Sequence, residues 1–218
     1  MGQTHHFTSQ SKPTYLINIV GVSVMSSLVR TFDYPVALDV TGVPVLVVGA
    51  GPVAARKVAG LAAAGAVVRV VAPEVSAELD RAAVAELRTR PYRPDDLEGV
   101  RLVVTATGRP EVDADVAADA TAAGLWVNAA DQPADCSFIL PAVARNGPLS
   151  IAVSTGGTSP ALAQRLRDRA GTLLTDEVVA LAHELAERRA EIRAAGGSTE
   201  DVDWAAVLDA VLPPLGDL

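Results

Sequence analysis

Short, predominantly apolar runs alternate along this chain with longer stretches in which apolar positions return every third or fourth residue. Val45–Val48, Val67–Val71, Leu102–Ala106 and Leu125–Asn128 are runs of the first kind. Such runs mark strands buried on both faces. The stretch after Gly51, Ser76–Leu87 and Glu111–Ala123 have helical spacing, and Gly124 ends the last of these. Arg88–Tyr92 reads as a further short strand, and Val36–Leu38 leads in across a Thr41-Gly42 turn. Strands alternating with helices predict an α/β fold with a doubly wound parallel sheet.

The pattern changes after Asn128. Cys136–Ala144 and Leu149–Ser154 read as two strands joined through Asn146-Gly147, a strong hairpin signal. From Ser159 the chain is helical, with Ser159-Pro160 as N-cap and first helical residue of a helix to about Arg169. A longer helix is expected over Asp176–Ala195, then a Gly196-Gly197 break. A last helix is expected over Thr199–Leu212, stopped by Pro213-Pro214. The expected organisation is an extension over residues 1–33, a dinucleotide-binding domain with its hairpin over 34–154, and a helical domain over 155–218.

The turn after the first strand carries the clearest chemistry. Gly49-Ala50-Gly51-Pro52-Val53-Ala54 is a G-x-G-x-x-A turn between a strand and a helix, with a second strand beyond, which is a Rossmann-like βαβ unit. Gly49 permits the tight turn, Gly51 lets the backbone approach a pyrophosphate, and Ala54 keeps the helix near the sheet. The helix start offers free N–H groups to phosphates, and Pro52 suits its first turn. The acid that binds a ribose 2′-OH normally lies about 20 residues on. Glu74, just after Pro73, is the nearby candidate. No Lys or Arg follows the second strand end to take a 2′-phosphate, so NAD is favoured over NADP.

In an open parallel sheet, ligands sit beyond the carboxyl ends of the strands. Thr105 and Thr107 stand there as ligands for a ribose or a nicotinamide amide, or else as loop-capping hydroxyls. Asn128 and Asp131 follow a buried strand. Asp131 reads as a proton acceptor facing the nicotinamide, or as an Asx-turn residue. The loop Ser154-Thr155-Gly156-Gly157-Thr158-Ser159-Pro160 opens a helix and suits an anion. Arg165 and Arg169, with Arg167, form a basic patch for a polycarboxylate, or an exposed face paired with Asp168 and Asp176.

Composition narrows the function classes. A net charge of −8 over 218 residues argues against nucleic acid or an anionic membrane surface as partner. The lone Cys136 rules out an internal disulfide or Cys-based zinc site and fits a reducing cytoplasm. No metal site is expected: His5-His6 falls in a polar leader, and His183 is a lone helical histidine read as structural. Tyr15–Val29 is too short and polar to span a membrane. The first 24 residues read as a disordered or misassigned extension, with Met25 as an alternative start.

These motifs together resemble the precorrin-2 dehydrogenase family, the siroheme-synthase N-terminal region. The residues that carry the resemblance are Val47–Lys57, Val71-Ala72-Pro73, Asn128-Ala129-Ala130-Asp131, Ser137–Ala142 and Ser154–Pro160, in the family's order. The resemblance covers about Tyr34–Leu174. It implies NAD-dependent oxidation of precorrin-2 to sirohydrochlorin, with Fe²⁺ insertion as a further step in some members. It implies that Asp131 is catalytic and that Pro52-Val53 and Pro73-Glu74 contact NAD. It also implies a homodimer built through the hairpin and the helical region, and Thr155, Gly156, Thr158 and Ser159 of the anion-suited loop are expected to bind the substrate. Ala50 stands where the family often has Gly, and Thr155 where some members have a phosphorylated serine. The methyltransferase half of fused siroheme synthases is not expected within the chain. The rival readings are a nucleotide-sensing module without catalysis and a chelatase that has lost dehydrogenation.

Overall fold

The computed structural model describes Phe32 and residues 34–209. The expectations for the leader, for His5-His6 and for the end of the last helix lie outside these residues. Five parallel strands form the main sheet: β1 (Pro44–Val48), β2 (Val67–Val71), β3 (Glu86–Arg88), β4 (Leu102–Thr105) and β5 (Trp126–Ala129). Their order is β3-β2-β1-β4-β5, so the chain reverses direction across the sheet between β1 and β4. Two helices cross over, α1 (Pro52–Ala63) and α2 (Pro110–Ala122).

The alternation of side chains along a strand explains why the central runs are apolar at successive positions. Val45 and Val47 of β1 pack with Ala54 and Val58 of α1, whereas Leu46 and Val48 pack with Val116, Ala117 and Ala120 of α2. All of these are buried. Each face of β1 therefore needs its own helix, and the sheet is doubly wound. Each fully buried valine or leucine contributes roughly 1.5–3 kcal/mol by leaving water.

Several expected elements differ from what the chain forms. Ser76–Leu87 is not a helix. Asp80 accepts the Ala82 N–H at 2.9 Å and holds only a single 3₁₀ turn, Arg81–Ala83. Beyond it the Ala85 N–H donates to the Val68 carbonyl at 2.8 Å, so pairing with β2 takes over. The strand expected at Arg88–Tyr92 is accordingly displaced to Glu86–Arg88. Cys136–Pro141 is not a strand either: after a 3₁₀ turn at Pro133–Asp135 it folds back along β5, where the Ser137 N–H donates to the Val127 carbonyl at 2.8 Å.

The hairpin forms as β6 (Ala142–Asn146) and β7 (Leu149–Val153), a separate antiparallel pair. Its loop is Gly147-Pro148, with Gly147 at φ +53°, the positive φ that a primed hairpin turn needs at its first position. Asn146 instead ties the hairpin to the helical region, donating to the Leu174 carbonyl at 2.9 Å and to Asp176 at 3.0 Å. Three helices complete the chain: α3 (Pro160–Gly171), α4 (Asp176–Ala194) and α5 (Trp204–Asp209). A Cβ added to Gly171 of α3 would stand 3.0 Å from the Ala144 Cβ, so α3 lies directly on the hairpin. The expected helix from Thr199 starts only at Trp204, because Ser198 and Asp203 bond backbone N–H groups locally.

The outer edge of the sheet is held by one buried carboxylate. Asp96 receives Arg88 at 2.6 Å, both arms of Arg90 at 2.6 and 2.8 Å, and the Arg93 N–H at 2.9 Å. Burial pushes its pKa up, but the bonds from Arg90 and Arg88 and the Arg93 N–H outweigh this and hold it at about 2. Its stabilising contribution is complete above the ordinary carboxylate range near pH 4 and is lost as pH falls through about 2. Asp96→Asn should therefore cost about 2–3 kcal/mol at pH 7. Urea unfolding at pH 7 and at pH 2 should show that difference shrinking in acid; an equal loss at both would contradict the assignment.

Candidate active site

The site begins where β1 ends. Gly49 adopts φ +110°, and the Gly49 N–H donates to the Val71 carbonyl at 2.9 Å. A Cβ on Gly49 would come within 2.7 Å of the Ala106 carbonyl carbon and nearer still to its oxygen, so only glycine fits. Gly51 is different: a Cβ there meets no protein atom within 4 Å. The protein leaves space at Gly51, and α1 starts there with no side-chain cap and no acid in its first turn. Its free N–H groups and unopposed positive end fit a dinucleotide pyrophosphate. Ala54 is fully buried against the sheet, as the turn motif requires.

The segment after β2 leans on the same turn, with the Ser76 N–H donating to the Ala50 carbonyl at 3.0 Å. Pro73 and Glu74 lie exposed in that segment. The Ala72 N–H donates to the Arg88 carbonyl at 3.1 Å, so β3 ends beside them. The cations there, Arg88 and Arg90, are bonded to Glu86 and Asp96.

A cleft of about 430 Å³ opens between the ends of the parallel strands and the hairpin with α3. Val53 and Lys57 of α1, Asn128 and Asp131 after β5, and Thr155, Gly157 and Arg167 from the other side line it. Asp131 is exposed and is the sole non-glycine residue with positive φ among the described residues, at +61°. Asp tolerates this left-handed region better than most residues. Its carboxylate takes no hydrogen bond from any described residue, so it closes no Asx turn and stands open to the cleft.

Asn128 is buried at the cleft floor. Its amide donates to the Phe138 carbonyl at 3.1 Å and accepts from the Lys57 ammonium at 2.9 Å. Burial draws the Lys57 pKa down, while Cys136 and Asp131 pull it back up. Cys136 is buried beside them and exchanges bonds with the Ala129 N–H and carbonyl, each at 3.2 Å.

Other expected residues spend their polar groups on local bonds or lie on another face. Thr105 is fully buried and donates to Asp113, and the Thr107 hydroxyl and N–H also bond Asp113, at 2.9 and 3.1 Å. Both hydroxyls are thus taken by Asp113 of α2, and the Thr107 hydroxyl also accepts the Arg109 N–H at 3.1 Å. The 155–159 loop is held internally: the Thr155 hydroxyl donates to the Ser159 carbonyl at 3.1 Å and accepts its N–H at 3.0 Å, and Thr158 donates to the Thr155 carbonyl at 2.6 Å. The Gly156 N–H donates to Ser154 at 3.1 Å, and Ser159 caps α3. Arg165 and Arg169 share the exposed face of α3, whereas Arg167, half a turn round, faces the cleft with its guanidinium 2.6 Å from Asp168. Lys57 escaped the motif reading because its role depends on a contact 71 residues away along the chain. Among the described residues no three or more His, Cys, Asp or Glu side chains gather where they could hold a metal.

Comparison with known proteins agrees with this geometry. A family model described as putative NAD(P)-binding matches residues 36–142, and one described as sirohaem biosynthesis protein central matches residues 146–169. The siroheme synthase of Ectopseudomonas mendocina is 45% identical over 139 residues, covering 63% of this chain and 30% of that protein. Those of Methylococcus capsulatus and Methylobacillus flagellatus are 41% and 39% identical, over 75% and 82% of this chain and 35% and 39% of theirs. The chain thus spans 30–39% of the length of these relatives. The solved structure of SirC, a precorrin-2 dehydrogenase, superposes with a TM-score of 0.64 at 28% identity, over 83% of this chain and 90% of that one. A dinucleotide turn, a cleft at the strand ends and a sirohaem-type segment in one continuous order place this chain in the siroheme synthase and precorrin-2 dehydrogenase family.

Proposed function

We propose that this protein oxidises precorrin-2 to sirohydrochlorin with NAD as acceptor. The observation that carries the reading is the open carboxylate of Asp131, held at φ +61° in the cleft beside a Gly turn built for a dinucleotide. Gly49, Gly51, Pro52 and Val53 would receive the pyrophosphate, and Asn128 would border the nicotinamide end. Glu74, exposed after β2, would meet a ribose hydroxyl, and the bonded state of Arg88 and Arg90 supports NAD over NADP.

When bound, NAD supplies the hydride acceptor. The oxidation removes one hydride and one proton from the tetrapyrrole, and Asp131 takes the proton. The apolar wall from Ile139, Val143 and Val153 suits the macrocycle, and excluding water there strengthens the electrostatic contacts. Thr155 and Gly157 border the same cavity from the hairpin side. Asp131 is also the group in the cleft able to take up pyrrole protons when Fe²⁺, as a second substrate, is inserted into the product.

A second copy of the chain is the occupant proposed for the hairpin and α3 surface. Leu140, Leu162, Leu166 and Leu173 are between 38 and 53% exposed there, a grouping that supports an interface. No helix among the described residues is long and apolar enough to cross a membrane, and the buried thiol of Cys136 fits a reducing cytoplasm.

Anaerobic incubation with precorrin-2 should yield sirohydrochlorin only when NAD is present, and later Fe²⁺ addition reads out chelation. Asp131→Ala should lower turnover about 100-fold or more while NAD binding persists; wild-type rates would remove Asp131 from the mechanism. Gly51→Asp should fold normally, since the site is open, yet lose NAD binding through overlap and repulsion with the pyrophosphate. Unchanged NAD affinity would place the phosphates elsewhere. Sedimentation should report a dimer that Leu166→Glu dissociates; a monomeric wild type would contradict the interface.

A further inference from the structure

The cleft holds two cations, and they differ in how far they are already satisfied. Arg167 is paired with Asp168 at 2.6 Å. Lys57 makes one hydrogen bond, to the Asn128 amide oxygen at 2.9 Å, and no described carboxylate lies within 4.0 Å of it. An ammonium has three N–H donors. Two of them therefore have no acceptor among the described residues, although the side chain is half-buried between α1 and β5. A partly desolvated charge with spare donors is costly unless an anion completes its shell.

The position of Lys57 says which anion that is. It stands on the second turn of α1, beyond the free N–H groups at Gly51, and its ammonium reaches across to Asn128 at the end of β5. That is the nicotinamide end of the site, where the dinucleotide carries a neutral amide and no phosphate. The remaining anion is on the substrate, whose macrocycle bears many carboxylates. Asn128 holds the ammonium in place, and its own amide is fixed by the Phe138 carbonyl at 3.1 Å.

We infer that Lys57, braced by Asn128, is the carboxylate anchor that seats one acidic side chain of the tetrapyrrole beside Asp131. The inference rests on the dehydrogenase reading for the identity of the substrate. Lys57 then sets the macrocycle's position along the cleft through a charge-assisted bond. Arg165 and Arg169, on the outer face of α3, have no part in it. The depression of the Lys57 pKa by burial, opposed by Cys136 and Asp131 and reinforced by Arg56, fits a cation whose charge an incoming carboxylate would stabilise.

The test uses the whole protein and the product sirohydrochlorin, titrated anaerobically without NAD by its absorbance and fluorescence. Lys57→Gln should weaken sirohydrochlorin binding about tenfold or more, with NAD affinity within about twofold of wild type. Lys57→Arg should restore much of the affinity. Arg101→Gln removes the same charge at the opposite end of the sheet and should leave binding unchanged. In turnover, Lys57→Gln should raise KM for precorrin-2 more than it lowers kcat. Unchanged sirohydrochlorin affinity in Lys57→Gln would overturn the anchor. So would a loss confined to kcat with a displaced pH profile, which would make Lys57 a group acting through Asp131. If Lys57→Gln does not fold, loss of affinity in Lys57→Arg equal to that of an unfolded control would also overturn it, whereas retained affinity supports it. A wild type that binds sirohydrochlorin but never turns over precorrin-2 would remove the dehydrogenase reading and leave the anchor standing on the binding data.

Discussion

The arrangement of the site depends on how closely the turn after β1 lies against the end of β4. No side chain fits between Gly49 and the Ala106 carbonyl, so the backbones themselves are in contact. That contact lets β1 sit at the centre of a sheet buried on both faces, with α1 on one side and α2 on the other. It also brings the start of α1 to the crevice where strand order reverses. The uncapped N–H groups at Gly51, the open space above them and the cleft near β5 all result from the path the chain takes out of that turn.

The cleft is an agreement between two parts of the fold with different physics. The parallel sheet supplies a rigid floor, on which Asn128 and Lys57 are fixed by one another. The hairpin and α3 supply the opposite wall, joined to each other closely enough that Gly171 meets Ala144. The 155–159 loop bonds its own hydroxyls and N–H groups, so its role in the cleft rests on shape more than on spare donors. Asp131 is the contrast: its carboxylate accepts nothing from the described residues, although the backbone beneath it is held in a left-handed conformation. An unfavourable backbone with no local compensation is characteristic of a functional position.

Much of this was legible in the residues. Continuous valine runs identify the two-faced strands, and Gly49, Gly51 and Ala54 each have the surroundings the dinucleotide motif assigns them. Ser159-Pro160 opens α3 as its residue types require. What was not legible depends on partners distant in the chain. Ser76–Leu87 has helical spacing, but strand pairing with Val68 and the local bond at Asp80 outcompete it. Thr105 and Thr107 stand at the right strand end, yet Asp113 claims both hydroxyls. Arg165 and Arg169 form the visible i, i+4 pair, while the cleft takes Arg167 between them. Lys57 gave no signal beyond its place in a motif, because its meaning comes from Asn128, a residue on another element.

In the proposed function a dinucleotide and a tetrapyrrole share one continuous cleft, with Asp131 and Lys57 beside the macrocycle. The most direct measurement is a crystal structure of the protein with NAD and sirohydrochlorin bound together. The pyrophosphate should lie on the backbone at Gly51, the nicotinamide over Asn128, and the macrocycle between Asp131 and the α3 wall with a carboxylate on Lys57. A macrocycle seated outside this cleft, or a dinucleotide whose phosphates avoid Gly51, would contradict this arrangement.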